Sequence, residues 1–254
     1  MEFIRTLRVE WLKTRHSNIS WLCLAGGFFI PLVYLIGFFK DHSSINSYGK
    51  FAIWKVYFFQ IWQFMAVFLL PLGLALASSL MIHLEYRNNT WKQVYAAPIK
   101  LTTVYFAKFT ALLILTARFF VFFNAGILLS GIIPCLLIDH QWPRQGIPLA
   151  FFLAANAKLF ITCLPVLAIQ YVVSLNFKSF MIPVSLGIGM VLLTLMLLNK
   201  WKYAYLIPYS YGAFFIQNDA AFLNRVNIYA LASGYCLVVI LAGYYLYLNQ
   251  KEKG

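Results

Sequence analysis

The chain is short of acid. Only seven of its 254 residues are aspartate or glutamate, against 20 lysines and arginines, and charged side chains make up 11% of the whole. None of the seven falls in the middle of a long apolar run. That weighs against transport driven by protons or sodium, which keeps a carboxylate inside the membrane for the ion. No Gly-x-x-x-x-Gly-Lys-Ser/Thr stretch occurs, so no P-loop cradles a nucleotide. His-Glu-x-x-His and Gly-x-Ser-x-Gly are absent as well. The nearest pairing of histidine with carboxylate, His83 with Glu85, offers too few ligands for a metal. No catalytic residue, metal ligand or cofactor site is therefore expected. The four cysteines, Cys23, Cys135, Cys163 and Cys236, lie far apart in apolar runs, as small apolar residues rather than disulfide or metal partners. The net charge of +13 has no long basic run and no soluble domain behind it, which argues against nucleic acid. Membrane insertion and anionic lipid account for it.

What is present is apolar length. Hydrophobic residues make up 62% of the chain. A hydrocarbon core about 30 Å thick needs roughly 20 helical residues. Ile19–Phe39, Val56–Ile82 and Val226–Leu248 meet that length without a charge, and Phe180–Leu198 falls one residue short. Phe109–Ile138 and Leu149–Leu175 carry one charge each, Arg118 and Lys158. Strict alternation, the mark of transmembrane strands, is missing. The expected fold is all-α: a single domain over 1–254 with six transmembrane helices.

In order along the chain, residues 1–18 read as an amphipathic helix on the membrane surface. Phe3, Ile4, Leu7 and Trp11 share one stripe, and Arg5, Arg8, Lys13 and Arg15 fall largely outside it. Pro71 and Gly73 are expected to interrupt the second span midway. The third span is longer than one crossing needs, from tilt, a protruding end, or a break near Gly131 and Pro134. Residues 200–225 have too many interruptions for a span and too many apolar side chains for a solvated loop, which fits a re-entrant or interfacial hairpin. Arg118 and Lys158 are the charges left inside spans. Each either lines a path or pairs across an interface, or snorkels to a headgroup.

Lysines and arginines set the orientation. With six spans, eleven lie on the side of both termini and seven on the other, with two inside the membrane. The bias predicts cytoplasmic termini in a multi-pass cell-membrane protein. It also puts in the cytoplasm the most polar connection, Glu85-Tyr86-Arg87-Asn88-Asn89-Thr90-Trp91-Lys92-Gln93, closed by Pro98. Between two long apolar runs, such a segment is a handle: short, charged, and carrying one large aromatic suited to a groove on a partner.

That segment, with Lys108 downstream and Glu10-Trp11-Leu12-Lys13 upstream, resembles type-2 ABC exporter permeases. It is most similar to the small permeases of lantibiotic-immunity and bacitracin-resistance exporters. The resemblance implies two permeases, identical copies or paralogues, each seated on a cytoplasmic ATPase that binds the ATP. It implies a surface helix before span one and a coupling helix over about 83–100. It also implies re-entrant outer helices between spans five and six. Carried over by residue, Glu85, Arg87, Thr90 and Trp91 belong to the coupling segment, and Glu10 and Lys13 to the surface helix beside it. The implied cargo is amphipathic, a peptide antibiotic or bacteriocin, with lipid-linked or polysaccharide material as the alternative. From other classes stand a structural membrane subunit and a lipid-modifying membrane enzyme. The enzyme would need converging His, Asp or Glu, and only His83 with Glu85, or Asp139 with His140, come near.

Overall fold

The computed structural model describes residues 2–15, 17–40, 53–87, 99–137, 146–177, 179–198, 200–217 and 227–250, the side chains of Ile53, Tyr86, Arg87 and Gln250 excepted. Among the described residues the regular structure is helical throughout, without a strand. The elements are α1 (Glu2–Arg15), α2 (Asn18–Lys40), α3 (Ile53–Phe64), a π-helical turn (Met65–Leu69), α4 (Leu70–Arg87), α5 (Leu101–Leu137) and α6 (Leu149–Asn176). There follow α7 (Met181–Leu197), two 3₁₀ turns (Ala204–Leu206 and Pro208–Ser210), α8 (Tyr211–Gln217) and α9 (Ile228–Gln250). Among the described residues, five helical stretches are long and apolar enough to cross a membrane: α2, α3 through α4, α5, α6 and α9. With 17 residues, α7 reaches only about 25 Å, at the short end of what a bilayer requires.

Polar caps mark helix starts. The Ser17 hydroxyl accepts the Ile19 N–H at 3.3 Å and opens α2; the Asn227 amide oxygen accepts the Ala230 N–H at 3.1 Å and opens α9. The second span is not cut at Pro71 and Gly73, contrary to the sequence expectation. The helix runs on, and the irregularity falls just ahead, as the π turn at Met65–Leu69. Proline lacks an N–H and its ring crowds the carbonyl four residues back, here that of Val67; a wider turn relieves both. Nor does α5 break at Gly131 or Pro134. It is one helix of 37 residues, roughly 55 Å, and Gly131 makes room for the Trp54 ring.

The helices form two groups. α2 lies along α5, with α1 against the first part of α5. α9 lies along α6, and α4 packs on α6 and α7. The span built from α3 and α4 is the most enclosed, with 61% of its apolar stretch buried against 22% in α2 and in α9. Aromatic side chains fill its core: Trp62 meets Phe123 with ring centroids 4.5 Å apart, and Phe58 meets Phe152 at 5.1 Å. The irregular stretch after α7 folds inward. Tyr209, Ser210, Tyr211 and Ala213 are buried, and Gly212 sits so near the π turn that a Cβ there would meet the Ala66 carbonyl oxygen at 2.8 Å.

Candidate functional site

Four charges meet at the end of the bundle that carries α1. The Lys108 ammonium, on the second turn of α5, donates to Oε1 of Glu10 at 3.1 Å and to Oε1 of Glu85. The Lys13 ammonium donates to the same two oxygens, at 2.9 Å to Glu10 and 2.8 Å to Glu85. Lys108, Glu10 and Glu85 are buried, whereas the Lys13 side chain remains 34% exposed. Among the described residues, two positive and two negative charges face one another here. A buried charge is tolerable only with such pairing and hydrogen bonding. At Lys13 burial acts to lower the pKa, but the Glu10 and Glu85 carboxylates outweigh it and hold the ammonium above its ordinary value of 10.5.

The cluster explains why α1 presents a polar seam to the protein. The side chains it buries are Thr6, Glu10 and Thr14, spaced four apart, while Ile4, Val9 and Leu12 stay exposed. The apolar stripe read from the sequence flanks this seam: Leu7 packs at the edge of the core and Ile4 is open. A second tie fastens the start of α1. The Lys100 backbone N–H, just before α5, donates to Glu2 Oε1 at 3.2 Å. One surface helix thus holds both flanks of the polar segment, Glu85 before it and Lys100 after it.

The structure brings Glu10, Lys13 and Glu85 together, and they engage one another instead of pointing outward. Arg87 closes α4, with its side chain outside the described residues. Thr90 and Trp91, like most of the 83–100 segment, lie outside them too, as do Asp139, His140 and residues 218–226. Arg118 donates to the Ser20 hydroxyl at 3.2 Å and lies over the Trp11 and Phe122 rings, joining α5 to the α1–α2 elbow. Lys158 is exposed on α6, its ammonium 6.0 Å from the Tyr229 ring centroid. His83 packs on the Phe180 ring, and among the described residues no group of three or more His, Cys, Asp or Glu is placed to hold a metal.

Sequence reasoning kept Lys108 only as a landmark and passed over two polar knots. Asn124 of α5 and Asn156 of α6 exchange amide hydrogen bonds, each 2.8 Å long, joining the two helix groups. Gln170, fully buried, donates to the Tyr209 hydroxyl, pinning the stretch after α7 to α6. The signal at Lys108 was its register. It shares the buried stripe of α5 with Val104, Ala111, Leu112 and Leu115, and a lysine on such a stripe needs an acidic partner.

Among the described residues the chain is a bundle of membrane-length apolar helices, with α1 tied to Glu85 of α4 and to Lys100 just before α5. The chain belongs to the ABC-2 family of transporter proteins, whose family model matches residues 6–196. It is thus a multi-pass membrane permease of an ABC transporter, a transport component rather than an enzyme, and the family works with an ABC ATPase. Comparison with curated proteins and with solved structures gives no match.

Proposed function

We propose that the chain is the permease of an ATP-driven exporter that expels an amphipathic substrate, such as a peptide antibiotic or bacteriocin, from the bilayer. It acts beside a second permease, copy or paralogue, each carried by a cytoplasmic ATPase. In this reading six helices cross the cell membrane, α7 among them, and both termini are cytoplasmic. The stretch from 200 to 225 dips in from the outer side. The observation that carries the proposal is the clasp of α1 on both flanks of the polar segment, through Glu85 and Lys100.

A push on Arg87, Thr90 and Trp91 by the closing ATPase then reaches α4 and α5 together. Glu10, Lys13, Glu85 and Lys108 serve as the internal brace that passes it on, while Trp91 supplies the docking aromatic. The test is co-purification of the tagged chain with its ATPase in mild detergent, comparing wild type with Trp91→Ala and Glu85→Gln. Trp91→Ala is expected to lose the ATPase while the permease stays folded. Glu85→Gln is expected to retain ATPase binding in part and to lose substrate-stimulated ATP hydrolysis. An ATPase that stays bound to Trp91→Ala at the wild-type level rules out the docking role.

A further inference from the structure

We propose that the elbow between α1 and α2 binds the anionic headgroup of a membrane lipid, gripped by Arg118, Arg8 and Arg15 around the Trp11 ring. The proposal needs no partner ATPase and stands apart from the export reading. Arg118 is half-buried on a helix of membrane length. Among the described residues its guanidinium spends one hydrogen bond, on Ser20, and otherwise rests against two aromatic rings, Trp11 at 6.0 Å and Phe122 at 5.1 Å. A guanidinium carries five N–H donors, so most remain open to a ligand.

Trp11 shares a face of α1 with Arg8, three residues before, and Arg15, four after; both arginines are exposed. Neither forms an ion pair with any described residue. The acids of α1 are committed elsewhere, Glu10 inside the charge cluster and Glu2 to the Lys100 N–H. Arg118 lies over the Trp11 ring, and Arg8 and Arg15 stand about one turn to either side of Trp11 on α1; none of the three pairs with a described carboxylate, and an anion would complement them. The planar fork of arginine matches phosphate oxygens in pairs. Lipid, rather than free phosphate, is the occupant because the site also offers apolar surface: Trp21, beside Ser20, is 72% exposed, and Leu12, beside Trp11, is 49% exposed. A headgroup at the arginines leaves its acyl chains along these side chains, and a tryptophan at that depth is the usual interfacial residue.

The test is native mass spectrometry of the full-length chain in detergent. The probes are dioleoylphosphatidylglycerol, dioleoylphosphatidylcholine and inorganic phosphate. Arg118→Gln and the exposed pair Arg8→Gln/Arg15→Gln are compared with wild type and with Lys55→Gln, a charge loss on α3. Wild type and Lys55→Gln are expected to retain phosphatidylglycerol over phosphatidylcholine. Retention is expected to fall roughly fivefold for each arginine removed. Unchanged retention in both arginine variants overturns the site, as does equal retention of the two lipids. Displacement of the lipid by an equal concentration of inorganic phosphate overturns the lipid assignment. The paired substitution lies at exposed positions, so its effect does not hinge on whether Arg118→Gln folds.

Discussion

At the scale of the residue, the charges of the cluster are unequal in cost because they are unequally buried. Glu85 faces both lysines, and truncating it takes away one of the two buried carboxylates that the Lys108 ammonium faces. Glu85→Ala is expected to destabilise the protein by about 3–5 kcal/mol, the range for breaking a buried pair from one side. Lys13→Ala is expected to cost about 1 kcal/mol or less, since a third of that side chain meets solvent and is screened. Chemical unfolding in micelles, comparing midpoints, separates the two. The same geometry sets a pH dependence. The folded state holds the Lys13 proton more tightly than the unfolded chain does, so its contribution is complete below the unfolded value of 10.5. It is lost as pH rises through the higher folded value. The gap in melting temperature between wild type and Lys13→Ala is therefore expected to stay constant through neutral pH and to shrink only above about 10.5. A gap that changes near neutrality would place the proton elsewhere.

At the scale of the element, glycine decides how near helices come. Gly27 lets α2 lie against α5; a Cβ there would meet Phe122 Cβ at 2.9 Å and the Phe123 backbone nitrogen at 3.3 Å. Those atoms belong to or adjoin the α5 backbone and cannot swing aside. Gly27→Ala is expected to destabilise by about 1–3 kcal/mol, as overpacking does. Gly234 on α9 faces open space, so Gly234→Ala is expected to be neutral or slightly stabilising through its helix propensity. Thermal melts of the two variants side by side check both signs. Either glycine looks alike in the sequence, since each sits in an apolar run, and only the neighbouring helix tells them apart. Pro71 teaches the same lesson. The sequence marks a disturbance in the second span, but whether a helix breaks, kinks or widens depends on what surrounds it, and here the π turn packs against Gly212.

At the scale of the whole molecule, the parity of crossings sets the topology. If α7 crosses as a sixth span, both termini face one side; if it does not, they face opposite sides. Reporter fusions at Met1 and at Gly254 are expected to report the same, cytoplasmic, compartment. Opposite compartments would remove α7 from the set of spans and reverse the assignment of every connection after it. A cytoplasmic Met1 would also put the charge cluster, which α1 carries, at the surface from which an ATPase acts.

The sequence alone determined the membrane class and where helices run. The apolar length that a bilayer demands is a local property, readable along the chain without knowing any contact. It also marked the polar segment that begins at Glu85, because charge is conspicuous where so little exists. The tertiary structure alone decided which charges meet. Glu10 and Lys108 are 98 residues apart and Glu85 and Lys108 are 23 apart, so their pairing depends on the rotation of three helices. It also decided that Arg118 turns to the elbow and that Asn124 finds Asn156. The physical reason is that apolar faces of transmembrane helices are nearly interchangeable in lipid. Close contacts and a few buried polar pairs, which no single stretch of sequence displays, select the one arrangement that holds.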